Sequence, residues 1–118
     1  MKKAWWKRKI KEACEDAGTY RPFFDLIITN LAELLEIRDR AMEQYKASGA
    51  SPVVTHTNKA KEKNIVKNPA LQMYNELNTT ALTYWRDLGL TPAGLKRISE
   101  DAMKVKKKSA LADILSDE

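Results

Sequence analysis

The fold of this chain depends on one stretch, PFFDLIITNLAELLEIRDRAMEQYKAS, residues 22–48. Its side chains form a seam with alternating spacings of four and three, which is typical of a helix that packs against other helices. The seam residues are Phe24, Ile28, Leu31, Leu35, Arg38, Met42 and Tyr45. Pro22 suits the first turn of a helix, whereas Gly49 and Pro52 prevent its continuation. The stretch therefore predicts one helix of about 40 Å, at about 1.5 Å per residue.

A second apolar row beside this seam makes the helix face too broad for a single neighbour. The second row comprises Phe23, Ile27, Leu34, Ile37 and Ala41. A chain of 118 residues has few other elements to cover both rows, so we expect part of the face to contact another subunit. The predicted oligomerisation residues are the seven seam residues with Tyr74 and Trp85. Because a buried unpaired charge is costly, Arg38 is expected to find a carboxylate partner or to fix the register of the contact.

Three more helices are predicted around this one. Residues 2–17 place Trp6, Ile10 and Cys14 on one face, and Gly18 ends that helix. Residues 69–88 follow an Asn-Pro start, with the asparagine as N-cap and the proline at the first helical position. A Thr-Pro pair at 91–92 begins the last helix in the same way, and this helix extends to about residue 104.

These helices predict an all-α fold in which 22–48 and 69–88 pack as an antiparallel hairpin. A basic N-terminal helix (1–20) precedes a helical oligomerisation core (21–103), and a lysine-rich tail (104–118) follows. The predicted fold also includes a short C-terminal helix. The connection between the two long helices has no helical periodicity. Its segment VVTHT (53–57) is compatible with a short β-ribbon and equally with an irregular loop.

The positive charge is clustered, although the net charge is only +5. The first cluster is Lys2, Lys3, Lys7, Arg8, Lys9 and Lys11, and the second is Lys59, Lys61, Lys63 and Lys67. A third comprises Lys96, Arg97, Lys104, Lys106, Lys107 and Lys108. Such clustering predicts a polyanionic partner, and the first two clusters are the predicted DNA-binding residues. Trp5 joins them because it lies off the apolar face, where it can stack on a base or anchor against a neighbouring subunit.

The sequence lacks the motifs of the common enzymes. It has no phosphate-binding GxxxxGK[ST] or GxGxxG loop, and its one histidine and one cysteine, His56 and Cys14, provide neither a zinc site nor a nucleophile–base pair. Four carboxylates at helical spacing are interpreted as a solvated face that pairs with Arg40; they are Glu33, Glu36, Asp39 and Glu43. We therefore expect no catalysis, no cofactor and no metal, and no apolar run approaches the roughly 20 residues of a membrane span.

Three segments of the chain together resemble the small subunits of phage terminases, in particular the family of long-tailed phages that infect Gram-positive hosts. These segments are IKEACEDAGTYRPFFDLIITNLAELLE (10–36), KNPALQMYNELNTTALTYWRDLGLTP (67–92) and GLKRI (94–98). The resemblance implies a non-enzymatic subunit that binds double-stranded viral DNA in the cytoplasm of the host bacterium. It implies a homo-oligomeric ring of about eight to twelve protomers. It also implies a partner, the terminase large subunit, which supplies the ATPase and the nuclease.

Two ends of the chain bear on this resemblance. Many small terminases carry an N-terminal helix-turn-helix domain, whereas about twenty residues precede Pro22, too few for one. DNA contact is therefore expected from the first helix, the lysine-rich connection or the C-terminal lysines. The family suggests that the C-terminal region engages the large subunit, so SALADILSDE (109–118) is expected to dock Leu111, Ile114 and Leu115 in a groove of that partner. An untethered terminus is the alternative.

Two other functions remain open from the sequence. One is a small dimeric DNA-binding regulator that reads DNA with the corner YWRDLGLTPAGLKRI (84–98). In that corner Glu100 and Asp101 follow Lys96 and Arg97 closely and would repel phosphate, so we interpret it as a folding element. The other function is a helical scaffold whose basic surfaces contact only protein.

Overall fold

The structure is a computed structural model that describes residues 1–100. Its elements are α1 (Lys3–Ala17), a short 3-10 helix (Pro22–Phe24), α2 (Asp25–Ala47), β1 (Val53–Thr57), β2 (Lys63–Lys67) and α3 (Pro69–Asp87). Residues 92–100 are helical up to the last described position and form α4. The predicted helices are present within a few residues of their expected bounds. The end of the last helix and the tail, residues 101–118, lie outside the described residues.

The core lies between α1, α2 and α3. Its buried residues are Ile10 and Cys14 of α1, Ile28, Leu31, Ala32 and Leu35 of α2, Ala81 of α3, and Leu88. The start of α3 lies beside the end of α2, where the side chain of Asn68 donates a hydrogen bond to the hydroxyl of Ser48 at 2.9 Å. The predicted antiparallel hairpin is therefore confirmed. The basic segment 1–20 belongs to the same core, since α1 packs along α2 and buries two residues there.

The connection between α2 and α3 is a β-ribbon, so the all-α prediction is wrong in this segment. β1 and β2 pair antiparallel, with Val53 opposite Lys67 and Thr57 opposite Lys63. The Oδ1 atom of Asn58 accepts hydrogen bonds from the backbone N–H groups of Ala60 and Glu62, both at 3.0 Å. This turn and the β-branched residues on both sides favour pairing over an irregular loop.

Asn68 closes the base of the ribbon. Its Oδ1 caps α3 by accepting from the N–H of Ala70 at 3.1 Å, and its Nδ2 donates to Ser48 and to the carbonyl of Ser51, each at 2.9 Å. Its backbone N–H donates to the carbonyl of Pro52 at 2.9 Å. The residue is 3% exposed, and these bonds satisfy its buried polar atoms. The N-cap predicted from the sequence therefore also holds both ends of the connection together.

The corner between α3 and α4 is a packing element. Gly89 has a φ of 74°, and the N–H of Leu90 returns to the carbonyl of Trp85 at 2.8 Å, which closes the end of α3. The hydroxyl of Thr91 accepts from the N–H of Gly94 at 3.0 Å and caps α4. A Cβ at Gly94 would collide with the carbonyl of Arg86. The close approach of the two helices supports a role of this corner in folding.

Candidate nucleic-acid interface

An open groove of about 470 Å³ lies between α1 and the start of α2. It is lined by Ala4, Lys7, Arg8, Lys11, Asp25 and Ile28. The spacing of the three cations places them along one flank of α1, beside the apolar side chains of Ala4 and Ile28. The groove therefore offers three positive charges above a partly apolar floor, an arrangement that suits an anion.

Two residues that the sequence analysis did not select shape one end of this groove. The hydroxyl of Tyr20 donates to Oδ1 of Asp25 at 2.8 Å, and this hydrogen bond is the main cause that raises the pKa of Tyr20. The Nζ of Lys11 lies 5.1 Å from the centroid of the Tyr20 ring. Lys11 is therefore held beside an aromatic ring at the mouth of the groove. No sequence pattern signalled this contact, because Tyr20 lies in the turn between the helices.

The other cations of the first cluster lie elsewhere on α1. The Nζ of Lys3 forms a 2.7 Å salt bridge with Glu33 of α2, and the Nζ of Lys9 lies 3.6 Å from Glu12. Lys2 is exposed just before the helix begins. The predicted cluster of six is thus divided, since Lys3 and Lys9 face carboxylates of this chain and only three cations line the groove.

Trp5 is half-buried, not fully exposed. Its ring packs edge-to-face on Trp6, with centroids 4.9 Å apart and an interplanar angle of 85°. The Nζ of Lys9 lies 5.7 Å from its centroid. Both neighbours restrain the ring, so Trp5 has a packing role in α1, and its contact with a base or with a neighbouring subunit stays a prediction.

The second basic cluster lies on the ribbon, away from the groove. Lys59 and Lys61 belong to the turn, Lys63 and Lys67 belong to β2, and all four are exposed. Lys61 has a φ of 62°, a conformation that L side chains rarely adopt. The ribbon follows the C-terminal end of α2. In contrast, α1 packs along the first part of α2, where Lys3 contacts Glu33. The two predicted DNA-binding clusters are therefore separate surfaces of the chain.

Most of the predicted oligomerisation residues are used inside the chain. Ile28, Leu31 and Leu35 are at most 2% exposed, because α1 and α3 cover them. The other apolar and aromatic members of the predicted set are partly buried; these are Phe24, Met42, Tyr45, Tyr74 and Trp85. In the single chain the centre of the seam therefore faces the chain's own helices, and a role of the seam residues in contact between subunits stays a prediction.

A different face of α2 is left exposed. Phe23 just before the helix is 73% exposed, and Leu26 and Ile37 are 79% and 46% exposed. Leu26 and Ile37 are separated by about three helical turns, so they lie on the same side of α2, opposite Ile28. Phe23 and Ile37 belong to the second apolar row of the sequence, whereas Leu26 was outside both rows.

Arg38 joins all three helices of the core. Its guanidinium donates to Oδ1 of Asp39 at 3.0 Å and to Oδ1 of Asn78 at 3.1 Å. It lies 5.3 Å from the ring of Trp6 and 5.8 Å from the ring of Tyr74. The carboxylate partner expected from the sequence is confirmed as Asp39, and the contacts of Arg38 are those of a residue inside one chain.

Asp39 receives three donors. Trp6 Nε1 lies 2.8 Å and the terminal ammonium of Met1 3.0 Å from its Oδ2, and Arg38 binds Oδ1. Burial by itself raises the pKa of this carboxyl, but the hydrogen bonds from Trp6, the terminus and Arg38 outweigh burial and lower it. Asp39 is therefore held ionised, and with Arg38 it stabilises the helix packing.

The described residues contain little other site chemistry. Within residues 1–100, no three His, Cys, Asp or Glu side chains converge as metal ligands would. Burial raises the pKa of the Cys14 thiol, and His56 lies on the exposed ribbon, far along the chain from it. No helix in this part of the chain has the length and apolar content required to cross a bilayer. Leu111, Ile114 and Leu115 and the C-terminal lysines lie outside the described residues.

Comparison with known protein families gives a match over most of the chain. Residues 3–104 match the family model described as "Phage terminase, small subunit". The matched region spans all the elements described above and so includes both basic surfaces. No curated protein and no solved structure matches the chain.

Proposed function

The chain belongs to the phage terminase small-subunit family and so has a role in phage DNA packaging, and we propose that it is the non-catalytic subunit that binds the viral duplex. It does so as an oligomeric ring in the cytoplasm of the bacterial host. The ring recruits and regulates the large subunit, which supplies the ATPase and the nuclease. The observation that carries the proposal beyond the family match is the basic groove on α1.

The groove of Lys7, Arg8 and Lys11 is the proposed contact with the phosphate backbone. Among the described residues, none of these three cations forms a salt bridge, whereas Lys3 does. Each cation that neutralises a phosphate releases condensed counterions, and this release drives sequence-independent affinity. Repetition of the groove around an oligomer adds avidity to a weak contact in each subunit.

The exposed face of α2 is the proposed contact between subunits. Burial of a side chain such as Phe23 or Leu26 contributes about 1.5–3 kcal/mol, so their exposure in a single chain leaves a strong driving force for association. A ring requires each protomer to present two different surfaces to its two neighbours. We propose that Phe23, Leu26 and Ile37 form one of them. The partly buried seam residues Met42 and Tyr45 lie towards the C-terminal end of α2 and contribute to the edge of this contact.

The proposed contact with the large subunit stays where the sequence analysis placed it, at Leu111, Ile114 and Leu115. This segment carries an apolar group followed by acidic residues, which suits a peptide that docks in a partner's groove. Deletion of residues 109–118 is expected to abolish binding of the large subunit and to leave duplex binding unchanged. A surface-binding assay with purified large subunit measures the first effect, and anisotropy with labelled duplex measures the second.

Native mass spectrometry of the full chain tests the assembly. We expect a closed ring of about eight or more protomers. Leu26→Glu should shift this population to smaller species, because a charge in the contact would be buried without a partner. The exposed position Thr83→Glu on α3 provides a control with the same new charge. A clean dimer would favour the small DNA-binding regulator, and a stable monomer at micromolar concentration would overturn the ring.

A titration of labelled duplex at several salt concentrations tests DNA binding. The variant Lys7→Gln/Arg8→Gln/Lys11→Gln should bind all sequences more weakly, and the log–log slope of its salt dependence should fall by about 0.9 for each phosphate that is no longer neutralised. The matched control neutralises three exposed cations outside the three basic clusters, Arg40, Lys46 and Arg86. Equal effects of the two variants would move the contact away from the groove. Undetectable duplex binding at low salt would leave only the alternative function, that of a helical scaffold whose basic surfaces contact protein.

A further inference from the structure

We infer that the β-ribbon reads base edges in the major groove of duplex DNA, with the face that carries Thr55, Thr57, Lys63, Ile65 and Lys67. This inference rests on the proposed DNA binding and extends it, because it separates two tasks. The groove on α1 holds the phosphate backbone, and the ribbon supplies sequence preference.

The register of the ribbon defines its two faces. In an antiparallel pair, residues directly opposite each other project to the same side. Thr55 is opposite Ile65, and the pairs Thr57–Lys63 and Val53–Lys67 flank them on the same side. The other face carries the pairs Val54–Val66 and His56–Asn64. The lysines of β2 thus lie on one face only, on both sides of Ile65.

The charge of the ribbon favours a nucleic acid as its partner. Between Val53 and Lys67 there are four lysines and one acid, Glu62. Two of the lysines lie at the tip, where a groove wall of phosphates would meet the turn of an inserted ribbon. A second copy of the same ribbon would instead place these lysines near each other, and like charges oppose such pairing.

The exposed side chain of Ile65 offers an apolar contact to a partner. Its side chain is 77% exposed in the middle of β2, and the two strands have no third strand beside them within the described residues. A two-stranded ribbon is only marginally stable in water by itself. The major groove is about 12 Å wide and admits a two-stranded ribbon, and the methyl group of thymine provides an apolar surface within it. Insertion would therefore cover Ile65 and support the ribbon.

The remaining side chains of this face have base-reading chemistry. Lysine donates to the O6 and N7 acceptors of guanine, and threonine exchanges hydrogen bonds with either base type. Within the described residues, the groove on α1 offers cations beside Asp25 and Ile28 and no projecting strand or turn, which suits contact with the phosphate backbone of a duplex. The strands of the ribbon are exposed along most of their length, so their side chains are open to the edges of bases.

Selection from a library of duplexes with a randomised centre tests this inference with the full chain. Sequencing of the bound fraction should show an enriched motif for the wild type. The variant Thr55→Val/Ile65→Thr keeps a β-branched residue at both positions, so the strands are retained while the chemistry of the face changes. We expect its enrichment to fall about tenfold for each base pair that it no longer reads, with affinity for the unselected library within about twofold.

Three controls separate the ribbon face from other causes. His56→Thr/Asn64→Thr changes the same number of residues on the opposite face and should leave the motif unchanged. The groove variant of Lys7, Arg8 and Lys11 should lower affinity for every duplex and retain the motif. Circular dichroism and native mass spectrometry of each ribbon variant should match the wild type.

The possible results distinguish this inference from the proposed function. A wild type that binds duplex but enriches no motif overturns base reading and leaves packaging by phosphate contact intact. The same follows if the motif survives Thr55→Val/Ile65→Thr, or if the opposite face alters it equally. A change of oligomeric mass in the ribbon variant would assign the ribbon to contact between subunits. A wild type that binds no duplex at low salt overturns both.

Discussion

The indole nitrogen of Trp6 lies 2.8 Å from Oδ2 of Asp39, and this hydrogen bond joins α1 to α2. Asp39 also binds Arg38, which reaches Asn78 on α3 at 3.1 Å. Three helices are therefore linked through one carboxylate and one guanidinium at the edge of an apolar core. This relationship explains why a charged residue interrupts the seam of α2: Arg38 positions the helices relative to each other.

The variant Trp6→Phe tests the hydrogen bond between Trp6 and Asp39. Phenylalanine retains an aromatic ring at the interface but removes the N–H donor, so Asp39 loses one of its three donors. We expect the free energy of unfolding to fall by about 1–3 kcal/mol, as measured by urea denaturation. Trp5→Phe provides the control, because its ring is half-buried and, within residues 1–100, no hydrogen bond from it joins two helices. An equal loss in both variants would show that ring size, not the bond, is what matters.

The lowered pKa of Asp39 predicts a pH dependence of stability. Its folded value lies below the ordinary 3.8, so folding favours the ionised carboxylate. This contribution is fully present above the ordinary pKa and is lost as the pH falls through the lowered folded value. We expect wild type and Asp39→Asn to differ in unfolding free energy at neutral pH and to converge in urea titrations below about pH 4. A difference that stays constant down to about pH 2 would contradict the role of ionisation.

Substitutions at Asn68 test the base of the ribbon. Asn68→Ala removes the N-cap of α3 and both side-chain donors, so it should cost about 1–3 kcal/mol of unfolding free energy. Asn68→Asp retains the acceptor for the N–H of Ala70 and loses the donors to Ser48 and Ser51. The buried carboxylate oxygen that replaces Nδ2 would face the carbonyl of Ser51, so the loss in Asn68→Asp should be at least as large as that in Asn68→Ala, and hydrogen exchange of the ribbon amides should increase in both variants. Equal protection of the ribbon in wild type and Asn68→Ala would show that the ribbon holds together without this residue.

Gly94→Ala tests the corner between α3 and α4. The added methyl group would collide with the carbonyl of Arg86, and backbone atoms cannot move aside as a flexible side chain can. We expect a loss of about 1–3 kcal/mol or more in thermal or urea unfolding. Gly18→Ala is the comparison, because its Cβ has open space and only the left-handed φ of 72° opposes it, at about 1–2 kcal/mol. A neutral Gly94→Ala would mean that the two helices are able to separate at the corner.

Local sequence predicts some features of the candidate site and not others. The cations of α1 and of the connection were identifiable because charge clustering is visible along the chain. Their separation into two surfaces was not, and neither was the pairing of Lys3 with Glu33. These depend on how α1 lies against α2, and residues that meet there are about thirty positions apart. The position of Lys11 over the Tyr20 ring depends in the same way on the turn between the helices.

Within residues 1–100 the sequence by itself determined the helices and most of their ends, because periodicity, Asn-Pro and Thr-Pro caps and left-handed glycines act within a few residues. Only the tertiary structure decided that the seam of Ile28, Leu31 and Leu35 is covered by the chain's own helices, and that Arg38 pairs with its neighbour Asp39. It also decided between a ribbon and a loop for residues 53–67. Burial and strand pairing depend on which distant segments meet, and an apolar face has the same pattern whatever covers it.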